Sequence, residues 1–225
     1  MTRTKLKDRV LPQYTKGEEV MNMVTHIVGA AFGIAQLTLC LICSAQQHDA
    51  YKIVSSAVYG LSIILLYTVS SVYHGLKPCM GKKVMQVIDH CTIYLLIAGT
   101  YTPILLCPIR ALSPATGWLL FGIVWGLSAF AAVFTAIDHN RFKVLSMVCY
   151  IAIGWVIVFA LKITLQAVTA TGFLFLLAGG IAYTVGAILY GLGKKIRYMH
   201  SVFHLFVLLG TAFQFVTVFE FCILH

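Results

Sequence analysis

The sequence predicts an all-α integral membrane protein: a seven-transmembrane helix bundle with its N-terminus in the cytoplasm and its C-terminus outside. Three observations carry that expectation. The 225 residues are 60% apolar and only 10% charged, with a mean hydropathy of +0.91. The apolar residues gather into seven runs long enough to cross a bilayer, and the basic residues collect between alternate runs. A soluble domain carries about a quarter charged residues, so a water-soluble fold is excluded, as are disorder, a coiled coil and a small disulfide scaffold. A span takes about 20 apolar residues plus a connection, so this length holds about seven spans and no sizeable aqueous domain.

Residues 1–19 read as a short basic cytoplasmic tail with Arg3, Lys5, Lys7, Arg9 and Lys16, ending in Glu18 and Glu19. Residues 20–225 read as a single transmembrane domain. Its first span is Val20–Ser44, followed by the polar break Gln46 to Asp49. The second, Ile53–Leu76, ends at Lys77-Pro78 and a basic turn. The third, Val84–Cys107, is closed by Pro108, and the fourth, Thr116–Ile137, by Asp138 to Arg141. The fifth is Val144–Leu165 and the sixth Gly172–Leu192, parted by residues 167–171. Lys194, Lys195 and Arg197 precede a seventh span, His200–Leu224. Backbone groups in hydrocarbon must be satisfied within a helix or a closed barrel. Barrel strands would alternate over about 10 residues; these runs are twice as long and apolar all round. Glycines inside them, among them Gly122, Gly126, Gly179, Gly180 and Gly186, read as sites of close helix packing.

Orientation follows from charge. The tail and the even-numbered loops hold 13 Lys and Arg, and the other side holds only Lys52, Arg110 and Lys162. Basic residues stay in the cytoplasm. The net charge of +9 is therefore topology and lipid-headgroup contact rather than a nucleic-acid footprint. The seven cysteines are scattered, and the lone Cys40-x-x-Cys43 has no second pair for a zinc site. No cleavable signal peptide is expected, and the features fit a bacterial cytoplasmic (inner) membrane.

Ionisable groups within a span cost about 2.5–3.5 kcal/mol on insertion scales, so each needs a reason. Glu19, His26, Ser70, His74, Asp89, His200 and His204 all fall near the cytoplasmic ends of their spans, at one depth. His200 and His204 stand one turn apart on one helix face, about 6 Å apart at their bases. With His74 they suit a tetrahedral zinc whose fourth position stays open for water, the catalytic arrangement. Ser70 shares the face of His74. Asp89 enters from the next helix, as a partner of a ligand histidine or as the base that takes a proton from water. His26 has two readings, a partner behind the ligands or a bond to a neighbouring helix. His90 points about 100° away from Asp89, and His48, His139 and His225 sit in loops or at the terminus with no assigned role.

Four motifs then carry a family likeness: Glu19-x-x-Asn22-x-x-Thr25-His26, Ser70-Ser71-Val72-Tyr73-His74, Asp89-His90-x-x-Ile93-Tyr94 running into Ala98-Gly99-Thr100-Tyr101-Thr102-Pro103, and His200-Ser201-x-x-His204. In this order they resemble bacterial hemolysin III proteins, prokaryotic members of the progestin and adipoQ receptor family. That family includes the adiponectin receptors and is similar to the alkaline ceramidases. The resemblance implies a seven-helix bundle holding Zn2+ through His74, His200 and His204, with Asp89 and Ser70 as catalytic residues. The expected function is hydrolysis of a lipid amide or ester, with a membrane lipid as substrate. The alternative is a cytolysin or membrane-state regulator with a structural zinc. A retinal pump is discounted because the seventh span has no lysine, Lys162 lying in the fifth.

Overall fold

The computed structural model describes residues 4–193 and 196–225. Arg3, Lys194 and Lys195, which enter the charge asymmetry, lie outside the described residues. The chain is helical almost throughout, with no strand among the described residues. Helix α1 is Lys16–Gln46, α2 Ala50–Gly75, α3 Met80–Ile104, α4 the single turn Arg110–Leu112, α5 Pro114–Gly154, α6 Leu161–Leu192 and α7 Met199–Val218. Among the described residues, five helical stretches are long and apolar enough to cross a membrane, one of them running from Pro114 to Leu192. The chain is thus a multi-pass helical membrane protein.

Local chemistry sets the helix ends. Thr15 and Glu18 form a reciprocal capping box: the Thr15 hydroxyl accepts from the Glu18 N–H at 3.3 Å, and the Glu18 carboxylate from the Thr15 N–H at 2.8 Å. The Asp49 carboxylate accepts from the N–H groups of Tyr51 and Lys52 and opens α2. Pro108 does not close the third span. The helix passes it as a π-turn over Leu105–Ile109 and runs on through α4 to Ser113, whose hydroxyl caps α5 with Pro114 at its first position. Helix α5 breaks at Asp138 (φ −156°, ψ 86°), and α6 breaks at Thr169 (φ 60°, ψ 171°). Both breaks fall within the expected connections. A 3-10 stretch, Val156–Ala160, joins α5 to α6, and a π-helical stretch, Phe219–Leu224, extends α7.

The helices close into a ring. Helix α1 packs against α2 and α7, α3 against α2 and α5, and α6 against α7 and α5. At the α1–α2 contact, a Cβ on Gly33 would sit 2.7 Å from Ile63 Cγ2, and one on Gly60 would sit 2.6 Å from Leu37 Cβ. Only glycine allows that approach. Gly179 likewise faces Gln214, and Gly186 faces Phe203 and Phe206. Gly122 and Gly126 meet nothing within 4 Å, so the packing expected of them is absent; their helix turns this face outward. The polar residues lie inside. Tyr59 donates to Gln36 Oε1 at 2.9 Å, Ser44 and Ser56 share a bond of 2.9 Å, and Tyr67 meets Thr211 at 2.7 Å. All seven cysteines are free.

The segment before α1 is docked rather than loose. The Thr4 N–H donates to Asp138 Oδ2 at 2.8 Å, Arg9 Nη2 to the Ile137 carbonyl at 3.0 Å, and Lys83 Nζ to the Lys7 carbonyl at 2.5 Å. Arg9 is buried. The segment therefore crosses the end of the bundle from the α5 bend, past the start of α3, to α1.

Candidate metal centre

The same end of the bundle gathers three imidazoles. His74 comes from the last turn of α2, and His200 and His204 from the first turns of α7. The His200 Nε2 lies 3.3 Å from His74 Nε2 and 3.1 Å from His204 Nε2, and one nitrogen of each ring lies within 4.8 Å of the other two. His74 and His204 are each 2% exposed, which excludes bulk water as their partner.

The outer nitrogens decide what the inner ones can do. His74 Nδ1 sits 2.7 Å from Glu19 Oε2, and an ionised carboxylate only accepts, so Nδ1 carries the hydrogen. His204 Nδ1 lies 3.3 Å from the Asn22 carbonyl, with Thr25 Oγ1 at 3.5 Å, and donates to the carbonyl by the same logic. As neutral rings, both therefore direct an Nε2 lone pair at His200 Nε2, and a single N–H there can satisfy only one of them. A cation resolves the conflict for all three. Nitrogens held about 2.0–2.1 Å from a tetrahedral zinc lie about 3.3–3.4 Å apart, close to the observed spacings. The three residues fit such an ion, and this donor set equally accepts other first-row metals.

Behind the ligands stands a charge chain the sequence reading did not assign. Glu19 Oε1 accepts from Lys82 Nζ at 2.5 Å, and Lys82 also donates to the Leu76 carbonyl at 2.9 Å while 2% exposed. Lys82 thus orients Glu19, which orients His74, tying α1, α2 and α3 together. Asn22 accepts from Ser201 at 2.6 Å and steadies the start of α7. The signal was in the sequence: Glu19, Asn22 and Thr25, spaced by three, share one face of α1. Tyr14, read as part of a tail, stacks on His200 with ring centroids 5.0 Å apart. Burial pushes its hydroxyl well above the ordinary phenol range, so the ring stays neutral.

A cavity of about 180 Å³ opens from the histidines into the bundle, mostly apolar in lining. Ser70, Asp89, His26, His200 and His204 all border it. His26 lies against His204 with ring centroids 3.6 Å apart and planes 9° from parallel, and among the described residues neither of its nitrogens has a hydrogen-bond partner. His90 and His139 differ from expectation. Both border the cavity, with centroids 3.9 Å apart, and His90 Nε2 meets the Tyr190 hydroxyl at 3.1 Å. Asp89 and His90 both reach the cavity because it spreads between α3 and the α5–α6 side. His139 arrives because the break at Asp138 folds α5 over the end of α3. His48 and His225 remain away from the cavity, as expected.

Fold and site together define a multi-pass membrane protein with a buried three-histidine cluster able to hold a metal ion. Comparison with known proteins agrees. Residues 14–215 match the model of the haemolysin-III related family. The chain is 40% identical to Hemolysin-3 of Bacillus cereus, over 95% of this chain and 93% of the relative. It is 38% identical to the Hemolysin-3 homolog of Bacillus subtilis, over 93% and 97%. A more distant relative, the human monocyte to macrophage differentiation factor, is 25% identical over 91% of this chain and 84% of its own length. The chain belongs to the haemolysin-III related family.

Proposed function

We propose that this protein is a metal-dependent hydrolase that cleaves an amide or ester bond of a lipid within the membrane. The observation that carries the reading is the convergence of the His74, His200 and His204 Nε2 atoms at ligand spacing, at the polar mouth of an apolar cavity. The three imidazoles would hold a divalent ion, zinc by the family resemblance, which when bound supplies Lewis acidity to a water and to a carbonyl oxygen. Asp89 would accept the proton of the attacking water, and Ser70 would position that carboxylate or donate to the developing oxyanion. His26, with both nitrogens unpartnered beside the cluster, would hydrogen-bond the polar part of the substrate. The apolar walls would take its chain and keep competing water away.

The reading includes a topology. The run from Pro114 to Leu192 would be about 119 Å long as one straight helix, far beyond a hydrocarbon core of about 30 Å. Its breaks at Asp138 and Thr169 divide it into three stretches of about 23 to 30 residues, each long enough to span. With α1, α2, α3 and α7 that makes seven spans. On this reading the charge asymmetry supports a cytoplasmic N-terminus, with the histidines on that side of a bacterial inner membrane.

The test is turnover. Purified protein with a measured metal content is incubated with ceramides, acyl amides and phospholipids, alongside Asp89→Asn. Release of fatty acid by the wild type and its loss in the variant support the reading; no turnover by the loaded protein removes it. The name of the Hemolysin-3 relatives favours a second reading, a lytic or regulatory protein with a structural ion. Dye release from liposomes that persists in His200→Ala supports the lytic form of that reading and leaves the metal site unconnected to it.

A further inference from the structure

The cavity has a second polar point far from the histidines. It follows α3 from Asp89 to Ile104, about 22 Å at 1.5 Å per residue, and its walls between are apolar except for isolated hydroxyls. Gln214 borders the cavity from α7, ten residues or about 15 Å along the helix beyond His204. The side chain is 6% exposed. Its orientation is fixed: Nε2 donates to the Leu176 carbonyl at 3.1 Å and lies against Gly179, where any Cβ would come within 2.6 Å of it. That leaves Oε1 buried with no hydrogen-bond partner among the described residues. An unpaired carbonyl oxygen in an apolar site is unfavourable, and the space left by Gly179 holds it there.

We propose that Gln214 is a recognition subsite for a hydrogen-bond donor carried partway along a lipid chain, so that the cavity prefers a hydroxylated acyl chain to a plain one. This rests on the reading of the cavity as a lipid-chain site. The polar head would lie at the histidines, the chain would run down the apolar walls, and a mid-chain hydroxyl would donate to Gln214 Oε1. A plain chain filling the same space leaves that oxygen unpaired, so discrimination comes from rejecting the wrong ligand as much as from attracting the right one.

The experiment is displacement of a fluorescent long-chain fatty acid from the purified full chain by octadecanoate and by its isomers hydroxylated at successive mid-chain carbons. The expected result is that one isomer binds about five- to tenfold more tightly than octadecanoate, the scale of one buried hydrogen bond. In Gln214→Leu that preference disappears while octadecanoate still binds. Equal displacement by all acids from the wild type, as when a water satisfies Oε1, overturns the subsite and leaves the lipid cavity standing. A preference that survives Gln214→Leu assigns it elsewhere and also overturns the proposal. Failure of every acid to bind the wild type removes the lipid cavity itself, and the subsite with it. Should Gln214→Leu not fold, Gln214→Met serves, and the wild-type ranking of isomers alone still decides.

Discussion

Helix α3 and the α5–α6 run are both long and helical, yet they are used in opposite ways. In the most apolar window of the run that α3 opens, Met80–Leu112, 78% of the residues are buried within the protein, against 17% in that of the α5–α6 run. The more polar stretch is the more enclosed. Gln86, His90, Thr92, Thr100 and Thr102 of α3 are buried, whereas Leu119, Ile123, Phe130 and Val133 of α5 face outward. In water the order would be reversed. In a bilayer the apolar surface has no reason to leave the lipid, so polar groups and small residues bring helices together. The inward face of this protein is therefore where its polar residues and its histidine cluster lie.

That contrast can be broken by substitution, most sharply at the histidine cluster. His204→Ala is expected to reduce bound metal from about one ion per chain to background by elemental analysis, and a strong chelator should do the same to the wild type. Retention of metal in the variant would dismiss the centre. Glu19→Gln keeps the shape and weakens the hold on His74; a 10- to 100-fold loss of metal affinity in competition titration is expected. Glycines give the next contrast. Gly60→Val at the α1–α2 contact should destabilise by about 1–3 kcal/mol through overpacking, while Gly126→Val on the outward face should change thermal stability by less than about 0.5 kcal/mol. The smallest effect belongs to Tyr14→Ala. Loss of the ring over His200 should speed metal removal by a chelator without altering the amount bound at equilibrium, and unchanged kinetics would show that Tyr14 does not cover the site.

Much of this was legible in the sequence because a bilayer enforces simple rules. Helix existence followed from run length, and the breaks at Asp138 and Thr169 lie in the connections expected there. His74, His200 and His204 could be grouped because an i, i+4 pair and a third histidine at one depth leave few arrangements. What escaped depends on three dimensions. Lys82 reads as a loop lysine until the start of α3 is seen to bury it against Glu19. His139 reads as a loop residue until the α5 bend carries it over α3. Pro108 reads as a terminator, yet a π-turn absorbs its missing N–H. Gly122 and Gly126 have the composition of packing glycines and the surroundings of none.

The anchored leader has a practical consequence. Thr4 holds Asp138, Arg9 holds the Ile137 carbonyl, and Tyr14 roofs the histidines, so an affinity handle fused ahead of these residues would tug on the very contacts that seal the centre. A polyhistidine handle at that end would also bring competing imidazoles within reach of any ion the cluster holds. Purification handles belong at the other terminus, and any preparation carrying an upstream fusion should have its metal stoichiometry measured again after the fusion is cleaved.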